Sequence, residues 1–126
     1  MHILVTGGTG YIGSHTVIEL LNQKYAVTIV DNLSNSSQTV IDQIAKITGT
    51  TVPLHIFDVE DKDKLDRLFA ESNFDAVIHF AGLKSVSESV EEPLLYYRTN
   101  VDSSLSLLEV MRTHGVRTLL FSSSAT

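Results

Sequence analysis

Near the start of the chain lies the glycine-rich stretch Val5-Thr6-Gly7-Gly8-Thr9-Gly10-Tyr11-Ile12-Gly13. It follows an apolar run and leads into a segment whose apolar residues have helical spacing, which predicts a strand, a tight turn and a helix. Gly7 permits the tight turn, Gly10 leaves room for a pyrophosphate, and Gly13 lets the helix pack close to its strand. An ordinary strand–helix connection is the alternative, since the spacing is Gly-x-x-Gly-x-x-Gly.

Asp31 supports the phosphate-binding interpretation. It ends an apolar, β-branched run at residues 26–30 and lies 18 residues after Gly13. That distance suits the acid that accepts hydrogen bonds from an adenosine ribose. The same carboxylate repels a 2′-phosphate, and residues 32–37 include no Arg or Lys. The pattern therefore favours NAD over NADP, although an aspartate at a strand end is often only a turn-former or a helix cap.

The composition indicates a soluble globular domain. The 126 residues are 43% hydrophobic and 19% charged, with a net charge of −6, which argues against a nucleic-acid surface. No apolar run is long enough to span a membrane, and no signal peptide is evident. The absence of cysteine suits a cytoplasmic protein and excludes thiolate metal sites. The five histidines lack paired ligand spacing, so no metal site is predicted.

Strand and helix patterns alternate along the chain. Strands are predicted at residues 3–5, 26–30, 52–57, 76–80 and 118–121. This alternation requires a parallel sheet with helices on both faces. The predicted fold class is therefore α/β, a Rossmann-like doubly wound parallel sheet of order 3-2-1-4-5 that is truncated after the fifth strand.

Helix boundaries are predicted from capping residues. Ser36 or Ser37 caps the second helix and Gly49 stops it. Asp61 opens the third helix. A long helix runs from Pro93, which suits a first turn, to a stop at Gly115.

Ligands of such sheets bind outside the carboxyl ends of the strands. Asp58 and Val59 follow the third strand, where Asp58 could accept a hydrogen bond from an adenine amino group while Val59 covers the ring. After the fourth strand, Gly82 allows close backbone approach and Lys84 brings a cation near the pyrophosphate. Residues 122–124 add three serine hydroxyls after the fifth strand. Taken singly, Asp58 is equally typical of a solvated turn, a lone lysine after a strand is more typical of the surface, and the three serines are more typical of a polar strand end.

These residues are similar to those of the extended short-chain dehydrogenase/reductase family, and within it to the nucleotide-sugar 4-epimerases. The resemblance covers the whole chain. The glycine turn and Asp31 are general to that superfamily, whereas two further strings resemble the epimerases in particular. Those strings are His79-Phe80-Ala81-Gly82-Leu83-Lys84 and Phe121-Ser122-Ser123-Ser124-Ala125-Thr126.

The resemblance implies a tightly held NAD and a UDP-sugar substrate, with UDP-glucose and UDP-galactose interconverted by hydride transfer from and back to the sugar C4. It also implies a homodimer. The pyrophosphate is then held by Gly7, Gly10, Tyr11, Ile12 and Gly13. Asp31 and Asn32 contact the adenosine ribose, and Asp58 and Val59 flank adenine. The dinucleotide is lined by Phe80, Ala81, Gly82, Leu83 and Lys84. Asn100 supports the site from the long helix, and Ser124 supplies the hydroxyl that hydrogen-bonds the reacting sugar oxygen.

One family feature is missing from the chain. None of its four tyrosines has a lysine four positions on, so the Tyr-x-x-x-Lys acid/base pair is absent. We therefore expect residues 1–126 to form an incomplete NAD-binding domain without the substrate domain, inactive alone. The alternatives are part of a related dehydratase or decarboxylase, or a non-catalytic module that binds NAD.

Overall fold

The computed structural model describes residues 1–33, 36–80 and 93–121; within 93–100 it describes the backbone and the Leu94 side chain. The described residues form a five-stranded sheet of order β3-β2-β1-β4-β5, in which every neighbouring pair is parallel. The predicted fold class and strand order are confirmed. The strands are β1 (His2–Thr6), β2 (Ala26–Asp31), β3 (Leu54–Ile56), β4 (Ala76–His79) and β5 (Thr118–Phe121). The helices are α1 (Tyr11–Asn22), α2 (Thr39–Thr48), α3 (Lys62–Glu71) and α4 (Pro93–Thr113).

The central strand β1 is buried on both of its faces. Successive side chains of a strand point to opposite sides of the sheet. Ile3 and Val5 accordingly belong to one apolar cluster and Leu4 to the other. Such a strand reads as a continuous apolar run, which is why it was visible in the sequence.

Two helix pairs cover the two faces of the sheet. Helices α1 and α2 contact each other and bring Val17 and Ile44 to the cluster that contains Ile3 and Val5. Helices α3 and α4 pack together on the opposite face, where Leu65 and Leu107 are completely buried. This doubly wound arrangement leaves the carboxyl edge of the sheet available to loops.

Three predicted helix ends are confirmed. Gly49 ends α2 with a φ of +77° and donates its amide to the Ala45 carbonyl at 2.8 Å. Asp61 caps α3, and its carboxylate accepts the Lys64 amide at 3.3 Å. Gly115, with a φ of +72°, turns the chain after α4. Positive φ values suit glycine because it has no Cβ.

Two local predictions are wrong. The N-cap position of α2 is occupied by Gln38, in helical conformation and without a side-chain capping bond, and not by Ser36 or Ser37. The Ser37 hydroxyl nevertheless accepts the Thr39 amide at 3.3 Å, because the first amides of a helix need acceptors from outside it. Strand β3 spans Leu54–Ile56, shorter than the predicted 52–57, since its pairing with β2 covers only these three residues.

No helix within the described ranges is long and apolar enough to cross a membrane.

Candidate functional site

The glycine turn lies at the carboxyl edge of the sheet, between β1 and α1. The Gly7 amide donates to the Val30 carbonyl at 2.8 Å and thereby ties the turn to the end of β2. Gly7 has a φ of +71°, and its own carbonyl accepts the Gly10 amide at 3.2 Å. The tight turn predicted at Gly7 is therefore present, and it faces the loop that follows β2.

Gly13 and Gly10 have different steric surroundings. A Cβ on Gly13 would lie 2.2 Å from the Gly7 carbonyl oxygen, a separation that no real Cβ contact allows. Among the described residues, a Cβ on Gly10 would meet only that same oxygen, at an ordinary 3.5 Å. The close helix approach therefore requires glycine at position 13, whereas no other described residue crowds the space in front of Gly10, where a ligand could approach.

The N-terminus of α1 begins beside the same space, and no described side chain caps it. Its N-cap residue is Gly10, which makes no side-chain capping bond, and the first turn contains no acidic residue. The amides of the first turn precede the first intrahelical hydrogen bond, as in any helix. Tyr11 and Ile12 are 81% and 62% exposed. Free amides at the positive end of the helix dipole make this terminus suitable for an anionic group.

Asp31 lies beside this terminus with its carboxylate held by three donors. Oδ2 accepts the Thr9 amide at 3.1 Å and the Thr9 hydroxyl at 2.5 Å, and Oδ1 accepts the Leu33 amide at 2.8 Å. An ionised carboxylate offers about four lone-pair sites, so it can still accept from a ligand hydroxyl. The acid predicted from spacing alone is thus fixed at the rim of the glycine turn.

The loops after β2 and β3 meet through Asn32 and Asp58. The Asn32 side-chain amide donates to Asp58 Oδ1 at 2.5 Å, and both residues are exposed. Val59, by contrast, is only 4% exposed and packs in the apolar core with Val30 and Leu65. Asn32, predicted to contact the ribose, and Asp58, predicted to contact adenine, are therefore adjacent, but the Val59 side chain faces the protein interior.

The carboxylates near Asp58 influence one another. The pKa of Glu60 is raised above its ordinary value, first by burial and then by the negative charges of Asp58 and Asp102. Because burial and the two neighbouring negative charges all disfavour ionised Glu60, the loop after β3 is less stable once Glu60 is charged.

The structure describes only part of the remaining predicted site. Phe80 follows β4, donates its amide to the Thr6 carbonyl at 2.9 Å and is partly buried against the α1–α2 side of the sheet. Asn100 lies in α4, but its side chain is outside the described part. Ala81, Gly82, Leu83, Lys84 and Ser124 lie outside the described residues altogether.

Two residues of the turn were missed by the sequence analysis. A Cβ on Gly8 would lie 2.8 Å from the Ile29 side chain, so this glycine is needed for packing against β2. Thr9 is 2% exposed and bonds to Asp31. The only available signal was their position inside the glycine stretch, since the partners lie on another strand.

Within 1–33, 36–80 and 93–121, no group of three or more acidic or histidine side chains is placed to hold a metal ion. An uncapped helix terminus, an open approach over Gly10 and a carboxylate 22 residues from Thr9 together suit a dinucleotide. The pyrophosphate would meet the amides and the ribose would meet Asp31.

This combination of fold and glycine turn is typical of dinucleotide-binding domains. The sequence profile described as "NAD dependent epimerase/dehydratase family" matches residues 3–126, and the chain belongs to that family.

Its relatives include UDP-glucose 4-epimerases. The chain is 51% identical to UDP-glucose 4-epimerase 2 of Arabidopsis thaliana over 98% of its own length and 36% of the relative's. It is 54% identical to UDP-glucose 4-epimerase of Neisseria meningitidis serogroup A, with 99% and 37% covered. It is also similar to the crystal structure of UDP-glucose 4-epimerase from Bifidobacterium longum in complex with NAD+ and UDP, at 51% identity and a TM-score of 0.97, with 99% and 37% covered. The chain thus spans little more than a third of the length of these relatives.

Substituting the two glycines separately should distinguish their roles. Gly13→Ala forces a Cβ against the Gly7 carbonyl and should lower the free energy of unfolding by about 1–3 kcal/mol or more. Gly10→Ala adds only an ordinary contact and should cost less than about 1 kcal/mol. Urea unfolding of both variants measures the difference. Equal losses would show that α1 does not depend on close approach at Gly13.

Replacing Glu60 should alter the pH dependence of stability. A raised pKa means that the folded state binds this proton more tightly than the unfolded chain does, so stability falls as pH rises through the folded pKa. Glu60→Gln removes that loss and should raise the melting temperature near pH 7, with the gain disappearing in acid below the ordinary glutamate pKa. Melting curves across this range provide the measurement. A gain that is equal at all pH values would exclude the charge repulsion as its cause.

Proposed function

We propose that this chain is the NAD-binding part of an enzyme that epimerises UDP-glucose and UDP-galactose at C4. The observation that carries the proposal is the Asp31 carboxylate, fixed at the rim of an uncapped glycine turn. The identity above 50% to UDP-glucose 4-epimerases supports the particular reaction. The complete reaction involves residues beyond this chain, because the relatives are nearly three times as long.

When bound, NAD supplies reversible hydride acceptance. The chain's own contribution begins at the glycine turn, where Gly7 and Gly10 shape the approach. The first-turn amides of α1, at Tyr11, Ile12 and Gly13, then hold the negatively charged pyrophosphate. The exposure of Tyr11 and Ile12 supports this role, since these residues form an exposed first turn of α1.

The adenosine end is bound by the loops after β2 and β3. Asp31 accepts from the ribose hydroxyls, and Asn32 lies beside it. Asp58 accepts from the adenine amino group. Because the Val59 side chain is packed in the core, we propose that Val59 meets the ring edge through its main chain. The Asn32–Asp58 hydrogen bond supports a shared site, because it joins the ribose-side and adenine-side residues.

The nicotinamide end is assigned by the family resemblance. We propose that Phe80, Ala81, Gly82, Leu83 and Lys84 line the dinucleotide and that Asn100 supports it from α4. Ser124 hydrogen-bonds the reacting sugar oxygen. A serine hydroxyl stays protonated at neutral pH, and in that form it is too weak a base to remove the proton from the sugar hydroxyl. From the family resemblance, we propose that the general base is the tyrosine of a Tyr-x-x-x-Lys pair outside residues 1–126. Residues 1–126 would then form a domain that binds NAD without epimerising sugars.

We further propose that the complete enzyme is a homodimer. The support is a row of exposed apolar side chains on α4, at Leu94, Leu105 and Leu108. Contiguous exposed apolar surface is typical of an interface between protein chains. We also propose a cytoplasmic location, which is supported by a chain without cysteine.

Cofactor discrimination tests the proposed role of Asp31. The complete enzyme should bind NAD far more tightly than NADP, because the carboxylate bonds the ribose and repels a 2′-phosphate. Asp31→Ala should weaken NAD binding by about 1–3 kcal/mol and narrow the difference between the NAD and NADP affinities. Calorimetric titration of both cofactors provides the measurement. Equal affinities in the unmodified enzyme would contradict the proposal.

Conversion of UDP-galactose to UDP-glucose tests the proposed reaction. Ser124→Ala in the complete enzyme should lower turnover sharply while NAD stays bound, because the hydroxyl serves the reacting sugar and not the dinucleotide. Residues 1–126 alone should show no turnover even with NAD supplied. Unchanged turnover in the serine variant would remove Ser124 from the catalytic residues, and real turnover by residues 1–126 would overturn the proposed division of labour.

A further inference from the structure

The Thr9 hydroxyl lies at the centre of a small hydrogen-bond network behind Asp31. Its Oγ1 donates to Asp31 Oδ2 at 2.5 Å. The Ser36 hydroxyl forms a second hydrogen bond with the same Thr9 Oγ1. Because the single hydroxyl proton of Thr9 goes to the carboxylate, Ser36 is the donor in the second bond. Thr9 is 2% exposed, so water does not compete for these bonds.

The donors around Asp31 determine which way its carboxylate faces. The Thr9 amide and hydroxyl converge on Oδ2, whereas the Leu33 amide bonds Oδ1. The Thr9 amide already ties the glycine turn to the loop after β2. The Thr9 hydroxyl donates to the same Asp31 Oδ2 from a second direction, and this second bond restricts rotation of the carboxylate. Orientation matters here because a ribose hydroxyl requires a lone pair at a defined angle.

We propose that Thr9 is a positioning residue that sets the Asp31 carboxylate for ribose recognition and, through it, the discrimination between NAD and NADP. This inference rests on the proposed function, since it requires a ribose at Asp31. Ser36 acts one step further out by holding the Thr9 hydroxyl in place. Thr9 itself touches neither the dinucleotide nor the sugar in this proposal.

A valine at position 9 removes this control with little change in volume. It places a methyl group where the hydroxyl lay 2.5 Å from Oδ2. A carbon atom and an oxygen atom cannot remain that close, so the carboxylate must turn away. The ribose of NAD then loses an acceptor at a fixed position. The 2′-phosphate of NADP is repelled less, because the negative charge of Asp31 is no longer held in one place.

The test measures binding of NAD and of NADP by calorimetry in the complete protein that carries this chain. Thr9→Val should weaken the binding of NAD about tenfold or more, which is the usual effect of losing a hydrogen bond to a charged group. NADP should change less, so the ratio of the two affinities narrows. Thr9→Ser keeps the hydroxyl and should retain most of the discrimination.

Thr28→Val is the matched control. Thr28 is also buried, at 4% exposure, and its hydroxyl bonds His2 Nε2 at 2.8 Å, away from the glycine turn. This variant should lower the melting temperature without changing the ratio of the two affinities. If Thr9→Val lowers both affinities equally, as a merely structural residue would, the inference is wrong.

A double-mutant cycle with Asp31→Ala tests whether Thr9 acts through the carboxylate. In that background, Thr9→Val should have almost no further effect on NAD affinity, because the group that it positions is gone. Additive losses would overturn the inference. Ser36→Ala is the second variant, for use if Thr9→Val does not fold. It should narrow the ratio of NAD affinity to NADP affinity by a smaller factor than Thr9→Val. An unchanged ratio in Ser36→Ala would contradict the role of the hydrogen-bond network.

The controls separate the two proposals. A protein that does not bind NAD before substitution contradicts the proposed function and, with it, the inference about Thr9. A protein that binds NAD selectively, and whose Thr9→Val variant keeps full selectivity, contradicts only the inference.

Discussion

The close approach of α1 to the turn after β1 is the constraint on which the site depends. At Gly13 the helix passes so near the Gly7 carbonyl that no side chain fits between them. This contact directs the helix N-terminus over the end of the sheet. It therefore places the unpaired first-turn amides in front of the turn and beside β2, where their positive potential can act on an anion.

The second strand is joined to this turn by backbone and side-chain bonds together. The Gly7 amide meets the Val30 carbonyl, and Asp31 accepts from Thr9. Burial of Thr9 keeps water from competing with these bonds, so the distance between the helix terminus and the carboxylate is well defined. The N-terminus of α1 and the Asp31 carboxylate are thus held in a fixed relative position.

The acidic loop after β3 shows a cost of this arrangement. Asp58 lies beside Asn32, where the adenine end of a dinucleotide would bind, and Glu60 nearby has a raised pKa. Burial and the neighbouring carboxylates Asp58 and Asp102 disfavour the charged form of Glu60 in the folded protein. Stability is therefore reduced locally at the edge where binding is expected.

Sequence periodicity predicted the sheet because parallel strands buried on both faces are continuous apolar runs. Helix ends at Gly49 and Asp61 were predictable for an equally local reason, since a positive φ and a side-chain cap depend on one or two neighbouring residues. The start of α2 was not predictable from neighbouring residues alone. Gln38 occupies the N-cap position while the Ser37 hydroxyl accepts the Thr39 amide, so two adjacent residues share the start of this helix.

By itself, the sequence determined the order of strands and helices, the glycine turn and the acid at the end of β2. These depend on spacing along the chain, which the backbone converts directly into geometry. Only the tertiary structure decided that Val59 packs inward and that Thr9, 22 residues before its partner, fixes the Asp31 carboxylate. The physical reason is that side-chain burial and hydrogen bonding between distant residues depend on which loops meet at the sheet edge, and the sheet must assemble before they meet.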